Sequence, residues 1–157
     1  VSSSGEVLDN WDAIKRVEKD QKTTADAMDS VAKTLPALWR ADKIQSKAAK
    51  AGFDWKNVGD ALAKLGEETA ELGEAVDFKD KDAVEDELGD VLFAAVKVAR
   101  FAGVDPEDAL NRTCDKFTER FRHVESSVLA SGRRMEDCVL DELIGLYEEA
   151  KAEESDK

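Results

Sequence analysis

The chain is poor in the residues that brace small extracellular folds or break helices. It has two cysteines and two prolines in 157 residues, and aromatics make up 6%. Two thiols at this length exclude a disulfide framework; Cys114 and Cys138 read as reduced and structural, which points to the cytoplasm. No apolar run approaches a membrane span, and Val1 to Asn10 carries no secretory apolar stretch. A start on Val1 rather than Met fits a trimmed product or a piece of a longer chain. Positive charge is also short: 23 Lys and Arg against 36 Asp and Glu leave a net charge of −13. Such a surface repels phosphate backbones and anionic lipids, which argues against nucleic-acid and membrane partners. Period-two alternation and internal repeats are both missing.

What is present reads as helix. The hydrophobic fraction is 42% and the charged fraction 38%, rich in Ala, Glu, Lys and Leu. A chain this long folds most simply as one domain, burying about 70% of the surface its unfolded form exposes. Residues 1–34 read as a polar tail, a short helix from about Trp11 to Lys19 capped by Asn10 or Asp9, and a connector from Asp20 to Thr34. Residues 35–152 form the main helical domain, and 153–157 a charged tail. Within the domain, Thr34 and Pro36 open a helix that stops at Gly52, and a second runs from about Asn57 to Val76. Val58, Leu62, Leu65, Leu72 and Val76 give that second helix an apolar stripe of period 3.6. Asp82 with Glu85 starts a third that reaches Gly103 and is apolar on two sides, through Phe93 and Ala94 as well as its main stripe. Asp105-Pro106 starts a fourth that Gly132 breaks, and a last helix runs from about Met135 to Ala152. The fold class is all-α, a bundle of four to five helices with short loops.

Two acidic pairs carry the chemistry. Glu68 and Glu71, and Glu87 and Asp90, each stand at i,i+3 on consecutive helices, so both carboxylates of a pair leave one face. Like charges at this spacing cost a helix roughly 0.2–0.5 kcal/mol per pair. A charge run is usually a solvated face. Here, however, a short link makes the two helices antiparallel neighbours, and the pairs can then face one another. Hard carboxylate oxygens suit Mg²⁺, with Mn²⁺ as a substitute, and Mg²⁺ commonly works with bound waters and substrate phosphates. An acidic protein that takes a phosphorylated substrate needs basic side chains as well. Lys116 and Arg120 share a helix face, anchored beside Phe117 and Phe121, and Lys64 lies four residues before Glu68. His123, the single histidine, reads as structural or surface, Trp39 and Trp55 as core packing ahead of a base pocket, and Cys138 as an inert thiol.

These motifs stand in an order that resembles the MazG family. They are Leu35-Pro-Ala-Leu-Trp-Arg-Ala-Asp-Lys-Ile-Gln, Gly52-Phe-Asp-Trp, Glu67-Glu-x-x-Glu71, Glu87-Leu-Gly-Asp90-Val-Leu-Phe, Gly103-Val-Asp-Pro and Lys116-Phe-x-x-Arg120-Phe-Arg. The resemblance covers residues 11–151 and is to the catalytic C-terminal half of two-domain members. It implies an all-α fold assembled as an intertwined homodimer and Mg²⁺-dependent hydrolysis of nucleoside triphosphates to the monophosphate and pyrophosphate. By the same resemblance Glu68, Glu71, Glu87 and Asp90 are the metal ligands, and Lys64, Lys116 and Arg120 hold the triphosphate. Tyr147 stands where relatives carry a Trp that contacts the nucleotide. Water would attack the α-phosphorus, with Glu71 a candidate to accept its proton. Three positions depart from the pattern: Tyr147 for that Trp, Cys114 for a frequent Asn, and Ala83 for a Lys near the substrate, with Lys81 and Lys79 as candidate substitutes. Two other readings stand beside this one: a narrow pyrophosphohydrolase for dUTP, dCTP or a damaged nucleotide, and a catalytically silent helical binding partner.

Overall fold

The computed structural model describes Ile14 and residues 23–155. The helix expected over Trp11–Lys19 therefore lies, apart from Ile14, outside the described residues. Six α-helices and one 3₁₀ turn account for the regular structure among the described residues, with no strand. They are α1 (Thr24–Asp29), α2 (Ala37–Lys50), α3 (Val58–Phe78), α4 (Lys81–Phe101), α5 (Pro106–Ala130), the turn Met135–Asp137, and α6 (Leu140–Ser155). The all-α expectation holds.

Local chemistry sets most of the helix ends. Asn57 caps α3 by accepting from the Asp60 N–H at 3.0 Å. After α2, Gly52 takes φ +88, so that its N–H donates to the Ala49 carbonyl and that of Phe53 to Ala48, closing the helix with a left-handed residue. Gly103 ends α4 in the same way. Three boundaries differ from expectation. The α1 helix falls in the segment read as connector, because Thr23 and Asp26 cap each other reciprocally. Asp80, rather than Asp82, caps α4 through the N–H groups of Asp82 and Ala83. Lys79, left-handed at φ 56, makes the link from α3 that short. The last helix does not begin at Met135, since Cys138 is extended and α6 starts only at Leu140.

Two compact units are present, through Glu107 and from Asp108 onward. In the first unit α3 and α4 form a helical hairpin, with α2 packed on α4 and α1 on α2. The core here is small side chains: Ala27, Val31, Ala61, Ala75, Ala94 and Val96. Alanine at these positions lets the helices approach closely. The buried Gln45 amide donates to the Phe93 carbonyl at 2.8 Å and ties α2 to α4. Trp39, expected in the core, is 37% exposed and donates its indole N–H to Asp105 at 2.9 Å.

The buried face of α3 runs through Ala61, Glu68 and Ala75. The stripe that dominates its sequence, Val58, Leu62 and Val76, faces solvent. On α4 the same holds for Leu88, Leu92 and Phe93, so this helix is buried on one side within the chain, where two were expected. In the second unit Val124, Val128 and Ala150 are buried.

Candidate metal centre

The period of α3 that buries Ala61 and Ala75 also buries Glu68, seven residues from each. A lone buried carboxylate would be costly. Glu68 is 7% exposed and accepts from the Lys64 ammonium at 2.7 Å, one turn earlier on the same helix. Lys64 also reaches Glu67 at 3.1 Å. The hydrogen bonds to Glu68 and then Glu67 hold the Lys64 ammonium above its usual pKa.

Across the hairpin stands Glu87 of α4. Carboxylate oxygens of Glu68, Glu71 and Glu87 all lie within 4.8 Å of one another. Glu87 Oε2 is buried with no hydrogen-bond partner. Burial, followed by the charges of Glu71, Asp90, Glu68 and Asp86, raises the Glu87 pKa above its ordinary value. A carboxylate with a buried oxygen that lacks a donor, grouped with two more carboxylates, is an arrangement that a divalent cation relieves. The donor set is three hard carboxylates with one exposed edge at Glu71, which leaves coordination positions for water or phosphate oxygens. The residues fit Mg²⁺ or Mn²⁺.

Asp90, the fourth expected ligand, stands outside that group of three. It lines, with Glu68 and Lys64, a recess of about 170 Å³ whose other walls are Trp55, Phe93, Ala94 and Lys97. Its charge still acts on Glu87, one turn earlier on α4.

Lys97 on the recess wall, and the Asp54–Arg100 pair next to it, are charged groups that sequence reasoning missed. Asp54 accepts from one Arg100 nitrogen with both oxygens at 2.6 Å and from the Trp55 N–H at 2.9 Å. Burial alone would raise the Asp54 pKa, but these bonds and the charges of Arg100 and Lys97 bring it below its ordinary value. Lys97 lies 3.9 Å from Asp54, with its ammonium 5.4 Å from the centre of the Trp55 ring. Burial lowers the Lys97 pKa and Asp54 draws it partly back. The available signal was a single cation between Ala94, Val96 and Val98, in the most apolar part of α4.

In the second unit, Arg120 and Tyr147 do come together. The guanidinium lies 5.7 Å from the Tyr147 ring centre and donates to Glu154 at 2.7 and 3.1 Å. Phe117 packs on Tyr147 at 5.7 Å and on Phe121 at 6.3 Å. Lys116 is exposed beside them. Of the remaining positions singled out by sequence, Cys114 is exposed, and Ala83 and His123 are half-buried.

Comparison with known proteins adds to this geometry. Residues 57–125 match the model of the MazG nucleotide pyrophosphohydrolase domain. The chain is similar to the nucleoside triphosphate pyrophosphohydrolase of Escherichia coli (strain K12), 40% identical over 158 aligned positions, covering 98% of this chain and 59% of the relative. It is 38% identical over 149 positions to the nucleoside triphosphate pyrophosphohydrolase/pyrophosphatase MazG of Thermotoga maritima, covering 95% and 57%. It is also 43% identical to the uncharacterized protein YabN of Bacillus subtilis, of which it covers 32%. The chain thus spans less than three fifths of the length of each of these relatives.

Proposed function

Because the chain carries a MazG domain and belongs to that family, we propose that it hydrolyses nucleoside triphosphates to the monophosphate and pyrophosphate with Mg²⁺ held between α3 and α4. The observation that carries this reading is that Glu87, whose Oε2 is buried without a partner, has a carboxylate oxygen within 4.8 Å of Glu68 and Glu71. Glu68, Glu71 and Glu87 hold the ion, and Asp90 completes the set from the recess wall. Bound Mg²⁺ supplies charge neutralisation and a water of lowered pKa.

The side chains do the rest. Lys64, bonded to Glu68, fixes that carboxylate's direction and places a positive charge beside the triphosphate. Glu71, exposed at the rim, accepts the proton of the attacking water. The new bond forms at the α-phosphorus, and the bridging α–β oxygen leaves with pyrophosphate. Lys116 and Arg120 bind phosphate oxygens, and Tyr147 orients Arg120 and presents an aromatic face to the nucleotide. The test is pyrophosphate release from each common NTP and dNTP, in Mg²⁺ and in EDTA. Release that depends on Mg²⁺ supports the reading. Turnover unchanged by EDTA, or none with any triphosphate, overturns it, the latter leaving a silent binding module. A strong preference for one base selects the narrow reading.

The working form is a homodimer. Leu62 (52% exposed) and Val76 on α3, and Leu88 and Leu92 (48%) on α4, are apolar side chains left exposed on the hairpin that also carries the carboxylates. A second copy of the chain, with the same stripe, is the complementary occupant. The parent is expected to sediment at twice its 17.2 kDa and the Leu62→Lys/Leu92→Lys variant at the single mass; a monomeric parent would end the dimer reading. Two thiols in 157 residues support work in the cytoplasm, and the charge of −13 opposes nucleic-acid binding. No helix among the described residues is long and apolar enough to cross a membrane.

A further inference from the structure

The recess beside the carboxylates has the size of one ring system. An apolar cavity of about 150 Å³ accepts benzene, and this recess measures about 170 Å³. A whole triphosphate would not enter it, but a single moiety of one would. Its walls divide by chemistry. Trp55 and Phe93, both more than a third exposed, and Ala94 offer apolar surface; Glu68 and Asp90 form the side shared with the metal ligands. A group lodged here is therefore attached to phosphates that lie at the ion.

Two cations line the recess, and only one is already used. Lys64 is committed to Glu68 and Glu67 at 2.7 and 3.1 Å. Lys97 is different. Its side chain is 15% exposed, yet its nearest carboxylate, Asp54, stands at 3.9 Å, beyond a hydrogen bond, and binds Arg100 at 2.6 Å with both oxygens. The Trp55 ring holds the ammonium by its π face at 5.4 Å, which supplies attraction and no acceptor. An ammonium has three donors and accepts nothing. A group that brings an acceptor completes it; a group that brings N–H donors meets donor with donor. Glu68 and Asp90, the carboxylates that line the recess, are the ones proposed above for the metal, which leaves Lys97 as the polar reader of this recess.

We propose, building on the hydrolysis set out above, that the Trp55–Phe93–Lys97 recess is the base subsite and that Lys97 selects a base that presents a ring carbonyl to it over one that presents an exocyclic amino group at the same position. Inosine and adenosine triphosphates isolate the choice, since they differ at position 6 and in the proton on N1. The expected result is a kcat/KM for ITP above that for ATP by roughly tenfold or more, the worth of one hydrogen bond from a charged donor. In Lys97→Met the ratio falls to within about twofold, and Lys97→Arg, which keeps the donors, restores part of it. A purely structural lysine would lower both substrates together and leave the ratio alone. A Lys97→Met enzyme with the parent ratio, or a parent without preference for ITP, overturns the proposal. Circular dichroism checks that the variants fold, with Lys97→Gln replacing Met if that one does not. If no triphosphate is turned over in Mg²⁺, the hydrolysis reading fails by itself, and the subsite is judged in EDTA. There, quenching of tryptophan fluorescence by inosine 5′-monophosphate at lower concentration than by AMP, lost in Trp55→Phe, sustains it. Equal quenching by both, or none, ends it.

Discussion

Glu68→Gln is expected to lower kcat/KM for triphosphate hydrolysis by at least about a hundredfold in saturating Mg²⁺. Residues that merely orient a metal's ligands cost roughly 10–100-fold when lost, and Glu68 is proposed as a ligand itself. Glutamine keeps the shape of the side chain, which matters at a position only 7% exposed between Ala61 and Ala75. What it removes is the negative charge that Lys64 donates to at 2.7 Å, which is also the charge of one of three carboxylates gathered within 4.8 Å. Asp90→Asn tests the member that stands apart from the three, and a comparable loss is expected because its charge already reaches Glu87. The control is Glu74→Gln, exposed on α3 beyond Glu71, with an expected change under about twofold. Steady-state pyrophosphate release measures all three. Turnover of Glu68→Gln within about threefold of the parent means the carboxylate group does not bind the catalytic ion and the metal centre lies elsewhere.

A second large effect is a reversal in thermal stability. In EDTA, Glu87→Gln is expected to melt at or above the parent; in Mg²⁺ it is expected to melt well below. The sign follows from the direction of the pKa. Burial and the surrounding carboxylates raise Glu87 above its unfolded value, so the folded state is favoured while the group is protonated. That contribution is lost as pH rises through the folded pKa, and at neutral pH the ionised carboxylate opposes folding. Gln carries no charge to oppose. Mg²⁺ inverts the balance for the parent by binding the folded form alone. At a hundredfold excess over Kd this linkage is worth about 2.7 kcal/mol, or roughly 5–10 °C in a chain of this size. The variant, short of one ligand, gains much less. Differential scanning fluorimetry in the two buffers reads both arms. Equal shifts with Mg²⁺ for parent and variant would show that Glu87 takes no part in binding the ion.

The sequence alone determined what depends on neighbours within a turn or two. The helices from Ala37 onward, the stops at Gly52 and Gly103 and the cap at Asn57 all follow from i→i+4 bonding and local φ preferences. So did the i,i+3 pairing of the acids, which is a property of one helix. Where local rules offered two answers they did not choose: Asp80 and Asp82 are both competent caps, and the left-handed Lys79 settled the start of α4. Only the tertiary structure decided which faces are inside. Helical period marked Val58, Leu62 and Val76 as an apolar stripe but carried no information on what would cover it, and within one chain it stays open while Ala61, Glu68 and Ala75 turn inward. The meeting of Glu87 with Glu68 and Glu71, and the placing of Lys97 against Trp55 and Asp54, likewise required α3, α4 and the turn after α2 to fold together. Those distances join residues 16 to 43 positions apart, and spacing along a chain does not encode the side on which a neighbouring helix will pack.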